Sequence, residues 1–227
     1  MRVLAIDTAL ETCSAAVLDT EQTAIVARES LPMVRGHAEA LLPLIARVMD
    51  RAKMEFAALD RIAVTTGPGS FTGLRVGISA ARGLALASGK PAVGLSTLAA
   101  FAAPFIAADD TLPVVVAIDA RHDHLYLQVF GPGGRTLVAP RLISLHEALR
   151  VATTGSPRVV GTAAKMLTDA WPAGERPPSK IDTRRAPDID WVARLGAAAT
   201  DTGSPPKPLY LRAPDAQPQN AAQLARR

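Results

Sequence analysis

One cysteine, Cys13, stands alone in 227 residues. That excludes an internal disulfide and a cysteine-held metal cluster, and it suits a reducing compartment. Aromatic residues are scarce, at 4%. No basic run exceeds Arg184-Arg185 before the tail. The net charge of +4 and pI near 9.6 are therefore compatible with nucleic acid nearby without indicating an autonomous nucleic-acid-binding surface. Long apolar runs are also missing: none approaches the roughly 20 residues of a membrane span, and "MRVLAIDTAL" lacks the apolar core and small-residue cleavage site of a signal peptide. The expectation is a soluble, cytoplasmic protein. Its 48% apolar and 20% charged residues suffice for one large core or two small ones.

Three motifs are missing where a glycine loop invites them. "TTGPGSFTGLRVG", Thr65 to Gly77, follows an apolar run and opens a stretch of helix formers. Free amides and a helix dipole can hold a phosphate in that setting. A P-loop needs Lys and a hydroxyl residue after its last glycine, but Gly73 is followed by Leu74 and Arg75. A dinucleotide fingerprint needs tighter spacing than Gly67, Gly69 and Gly73 provide, and the acid it requires further on is absent from Lys90 to Leu95. Ser70 does not lie between two glycines as a hydrolase nucleophile would. The glycines need another explanation.

What is present is a strand and helix pattern that occurs twice. Apolar runs 2–7, 13–18 and 24–30 read as three strands, with Asp7 closing the first. Leu41, Leu42, Ile45, Val48, Met49 and Ala52 recur at helical spacing over residues 37–53. Pro43 inside that run predicts a kink in the first turn or a late start. A strand at 61–65, the glycine loop, a helix at 72–88, a strand at 91–95 and a short helix at 97–103 follow. "PVVVAIDARHDHLYLQVFG" starts the pattern again, with Asp119 closing its first strand. It continues as strands 125–130 and 136–142, helix 145–151, strand 158–160 and helix 163–171. Proline density from Pro172 to Pro187 signals a loop, after which Asp188 or Asp190 caps a last helix to Ala199. The expected division is a first domain over 1–103, a shorter second domain over 104–212 and a disordered tail over 213–227. The fold class is α/β with mixed sheets.

Two such units, each with an aspartate ending its first strand, resemble the duplicated core of the actin-like, sugar-kinase and Hsp70-like superfamily. Within it, "IDTALETCSAAV", "RGHAEALLPLI", "TTGPGSFTGLRVGISAARGLA", "GLSTLAAFA", "DARHDHLY" and "PLYLR" are similar to the TsaB (YeaZ) family. The resemblance implies a non-catalytic partner of TsaD, the larger relative that transfers threonylcarbamoyl to the adenosine beside the tRNA anticodon. It also implies pairing with TsaD or with a second copy through the two helices of the first domain. The ATPase TsaE and tRNA then join through the assembly, and ATP and metal sit on the partner subunits rather than on this chain. TsaD holds a metal through an H-x-x-x-H helix; the matching positions here are Thr97 and Phe101, neither of which replaces a neutral imidazole. Of the two phosphate hairpins of actin-like folds, Asp7 and Thr8 retain a vestigial first one, while Arg121 and His122 are bulky where the second needs close approach. An ATP-dependent phosphotransferase of the same fold is the alternative, and a metallopeptidase a third reading.

The glycine question then becomes one of packing. Gly73, Gly77 and Ala81 recur every four residues and make one smooth helical face beside Leu74 and Ile78. Glycine inside a helix costs about 1 kcal/mol relative to alanine, so something must approach closely to offset it. The resemblance favours a subunit interface that also takes in Arg35, His37, Leu41 and Ile45; periodicity alone serves equally well for a face turned onto the sheet. His122 and His124 share one side of a strand near Asp119 but have no fourth ligand, which reads as a solvated hairpin.

Overall fold

The computed structural model describes residues 1–153 and 155–212. Strands β1 (Arg2–Asp7), β2 (Thr12–Asp19) and β3 (Ala24–Pro32) form an antiparallel meander, and β4 (Arg61–Gly67) and β5 (Ala92–Ser96) run parallel to β1. The sheet order is β3-β2-β1-β4-β5. Central β1 is covered on both faces, which explains its unbroken apolar run where a half-exposed strand would alternate. Leu4 and Ile6 pack beneath helices α1 (His37–Ala52) and α2 (Phe71–Ser88), while Val3 and Ala5 face the other way.

The second half repeats this order. β6 (Val114–Asp119), β7 (His124–Phe130) and β8 (Thr136–Ser144) form the meander, with β9 (Arg158–Val160) and β10 (Lys180–Asp182) parallel to β6, in the order β10-β9-β6-β7-β8. Helices α4 (Leu145–Ala152) and α5 (Ala164–Asp169) cover one face. The echo reaches the backbone: Gly67, the last residue of β4, and Gly161, the residue after β9, have φ of 120° and 118°. That region favours glycine.

The remaining helices are exchanged. Helix α3 (Thr97–Ala108), the last element of the first half, lays Leu98, Phe101 and Phe105 on Val114, Val116 and Ile118 of the second sheet. Helix α6 (Ile189–Ala198), the last of the second half, lays Ile189, Val192 and Ala193 on Val3, Ala5 and Ala63 of the first. A Cβ on Gly196 would stand 2.3 Å from that of Ala63, so glycine permits the approach of α6 to β4. Thus α3 spans the boundary drawn at residue 103, and α6 returns to the first sheet.

Several elements differ from the sequence expectation. Helix α1 has no late start, and Pro43 lies on its exposed side with Glu39, whose carbonyl loses its helical donor. Helix α3 continues through Pro104 to Ala108. Strand β10 sits inside the proline-dense stretch that reads as loop. Asp188, rather than Asp190, caps α6 by accepting from the Asp190 amide. After α6 the chain runs back as a strap: the Leu209 amide donates to Thr66 O at 2.8 Å, and Arg212 Nη1 donates to Ala120 O at 3.0 Å in the second half. The expected disordered tail, 213–227, lies outside the described residues.

Candidate functional site

The β1–β2 hairpin, where the phosphate reading placed Asp7 and Thr8, is sealed. Both residues are buried. Asp7 Oδ1 accepts from Thr65 Oγ1 at 2.5 Å and from the Ala9 amide at 3.3 Å, while Oδ2 has no partner among the described residues. Burial pushes the carboxyl up to about 6, against the two hydrogen bonds that pull it down. Thr8 Oγ1 donates to Gly73 O at 2.7 Å. Cβ atoms on Gly69, Gly73 and Gly77 would stand 2.3, 2.1 and 2.3 Å from Ala9 O, Thr8 O and Thr8 Oγ1. The glycine block presses the first turns of α2 onto the hairpin, so the hairpin cannot close around a phosphate from that side.

This geometry corrects the expected interface stripe. Leu41, Ile45, Gly73, Leu74, Gly77, Ile78 and Ala81 are buried in the chain's own core, beneath α1 and α2. His37 is also buried, with Nε2 3.1 Å from Leu10 O. Only Arg35 of that set is exposed. Side chains packed on their own sheet cannot meet a partner without unfolding, and the close approach that excuses Gly73 and Gly77 is internal.

The outward sides of the same helices carry a different set. Leu42 is 56% exposed and Leu86 86% exposed, with Ala46 and Gly83 exposed and Val76 and Ala80 half-buried. A Cβ on Gly83 would meet nothing within 4 Å. Here is a helical glycine that the folded chain itself does not require. Helical spacing places Leu42 with Ala46, and Val76 with Ala80 and Gly83, so small and apolar groups meet solvent on two adjacent helices.

Other candidates hold no ligand set. Thr97 and Phe101 are fully buried, Phe101 within the core under α3. His122 lies in the exposed β6–β7 turn, with φ 52°, and His124 opens β7, its Nδ1 2.6 Å from His122 O, so the two do not share one strand. Among the described residues no group of three or more His, Cys, Asp or Glu side chains could hold a metal. A cleft of about 490 Å³ between β2, β3 and the start of α6 is lined by Ser14, Ser30, Arg28 and Arg185. Its arginines are engaged, Arg185 with Glu11 at 2.9 Å and Arg28 with Asp190. No helix among the described residues is long and apolar enough to cross a membrane.

Residues 31–179 match the family described as TsaD, tRNA N6-adenosine threonylcarbamoyltransferase. The Escherichia coli tRNA threonylcarbamoyladenosine biosynthesis protein TsaB is 38% identical over 126 residues, 56% of this chain and 53% of that protein. The chain thus aligns with about half the length of that relative. YeaZ from Pseudomonas aeruginosa superimposes with a TM-score of 0.77 at 27% identity, covering 92% of this chain and 99% of that one. The polyphosphate/ATP-glucomannokinase of an Arthrobacter strain shares the fold alone, with a TM-score of 0.50 at 15% identity over 87% of this chain and 98% of that one. The duplicated sheets are those of the actin-like and sugar-kinase fold. By these matches the chain belongs to the TsaD family, on its TsaB (YeaZ) branch.

Proposed function

We propose that this chain is a non-catalytic subunit of tRNA threonylcarbamoyladenosine synthesis. It docks TsaD, its enzymatic relative, through the outward face of α1 and α2, and so supports transfer of threonylcarbamoyl to the adenosine beside the anticodon. The observation that carries this reading is the exposed ridge of Leu42, Ala46, Val76, Ala80 and Gly83 on two adjacent helices. Two helices offering small and apolar side chains invite two more, since close backbone approach gives dispersion contact that an exposed glycine alone never recovers. A second copy of the chain competes for the same face.

Catalytic parts are placed on the partners. The hairpin around Asp7 is filled by α2, and Thr97 and Phe101 are committed to packing, which supports a chain that carries neither ATP nor metal of its own. ATP, metal, TsaE and tRNA then belong to the assembly, in the cytoplasm. Light scattering of this chain mixed with purified TsaD tests the reading: a one-to-one complex supports it. Absence of a complex at micromolar concentration, with or without nucleotide and TsaE, contradicts it.

A further inference from the structure

The strap that ends the described chain builds an aromatic and basic surface beside α2, on the flank turned away from α1. Phe71 and Tyr210 stack with ring centroids 5.5 Å apart at an interplanar angle of 30°. The Arg75 guanidinium lies 3.8 Å over the Phe71 ring, and Arg75 Nε donates to Tyr210 Oη at 3.2 Å. Arg82 Nε donates to Pro206 O at 2.9 Å, so two turns of α2 hold the strap from one side. Both rings stay open, with Phe71 45% and Tyr210 43% exposed, and Lys207 is exposed between them and Pro206.

The two segments that build this stack carry charge of one sign. No Asp or Glu occurs between Asp60 and Asp109, a stretch that holds all of α2 and β5, and none occurs between Asp201 and the end of the strap at Arg212. Arg75, Arg82, Lys207 and Arg212 therefore line the strap with no carboxylate from either of the segments that form it. At its far end Arg212 reaches the β6–β7 turn, which carries Asp119 and Asp123. Whole-chain composition hides this surface, because the few aromatics and the modest net charge are averaged over both halves.

We propose that this surface binds unpaired nucleotides of an RNA. Tyr210, backed by Phe71 and Arg75, serves as the stacking platform for a base, and Lys207 and Arg82 follow the phosphates. A stacked aromatic pair held by a guanidinium is a rigid platform with little left to order on binding, and every base has a face to offer it. Cationic residues on both segments that form the stack, with no carboxylate from either, favour a polyanion over a protein, whose surface mixes both signs. This surface lies on a different flank of α2 from the ridge assigned to TsaD, so the two proposals stand or fall separately.

The test is fluorescence anisotropy of the full chain with a labelled single-stranded RNA and with an unmodified tRNA transcript, across a salt series. The wild type is expected to bind both. Tyr210→Leu weakens binding about 5- to 100-fold by removing one stacked base, and Lys207→Gln lowers the salt slope on the single strand by about 0.7. Leu42→Asp leaves RNA binding unchanged. Lys207 is exposed, so that variant keeps the test valid even where Tyr210→Leu loosens the strap. Failure of the wild type to bind either RNA at low salt, or wild-type binding by both variants, overturns the proposal. So does a loss of TsaD affinity in Tyr210→Leu with RNA binding unchanged, which assigns the stack to a protein partner.

Discussion

Arg61 and Arg158 open equivalent strands of the two halves, and each guanidinium ties down a helix contributed by the other half. Arg61 Nη1 donates to Gly196 O at 2.9 Å and to Ala199 O at 2.5 Å, at the end of α6. Arg158 donates to Phe105 O at 2.6 Å, in the last turn of α3, to Asp109 O at 2.7 Å and to Leu112 O at 2.5 Å, in the connection that follows. A helix end leaves carbonyls without donors, and a buried one needs a partner. The exchange of α3 and α6 is thus secured by one arginine in each direction.

Removing Arg158 takes the side-chain donor from Asp109 O and Leu112 O, while Phe105 O keeps the Asp109 amide. Arg158→Ala is expected to lower unfolding free energy by about 3 kcal/mol, given roughly 1.5–3 for each hydrogen bond from a charged group and some relaxation. Arg61→Ala, at a less buried site, is expected to lose less. Urea denaturation of the two variants checks the order.

Because each sheet is roofed by the other half's helix, neither half closes its own core. A chain ending at Ala108 lacks α6, leaving Val3, Ala5, Ala63 and Val93 uncovered, while its own α3 has no second sheet to rest on. That fragment is expected to show no dispersed amide spectrum and no cooperative melt.

Asp7 gives the fold a pH dependence with a definite sign. Its folded pKa, about 6, lies above the ordinary 3.8 because burial disfavours the charge. The contribution is therefore fully present below about pH 4 and is lost as pH rises through about 6, a loss on the order of 3 kcal/mol for a shift of about two units. Asp7→Asn removes that dependence. Melting temperatures at pH 5 and pH 8 should draw closer in the variant than in the wild type, with the gain at pH 8.

The two kinds of helical glycine separate by substitution. Gly73→Ala forces a Cβ to within 2.1 Å of Thr8 O, a backbone atom, and is expected to destabilise the chain by about 1–3 kcal/mol despite alanine's better helix propensity. Gly83→Ala has open space and is expected to stabilise the isolated chain by about 1 kcal/mol while weakening the complex with TsaD. Thermal melts and binding titrations on the same samples read both effects.

Much of the fold is legible in the residues. The runs 2–7, 24–30 and 158–160 and the heptad-like spacing of Leu41, Ile45 and Val48 mark elements that the structure keeps, and the repeated Asp-ended strand marks the duplication. The orientation of the Gly73, Gly77 and Ala81 stripe was not legible. Periodicity shows that a helix has a face and leaves open what covers it; the cover is the hairpin at Thr8, joined to α2 only by folding. Strand β10 escaped because three residues among prolines carry no alternation. The strap escaped for a related reason: "PLYLR" marks a family, while its contacts with Arg75 and Arg82 lie more than a hundred residues away in the chain.

The measurement that bears most directly on the docking face is the mass of the complex with TsaD, by light scattering, for the wild type beside Leu42→Asp. Leu42 is exposed, so a charge there leaves the fold intact, whereas the buried Ile78 offers no such control. The expected result is a one-to-one complex with the wild type and separate subunits with the variant, both melting at the same temperature. A complex of equal mass and affinity in the variant would contradict the assignment of the α1–α2 ridge.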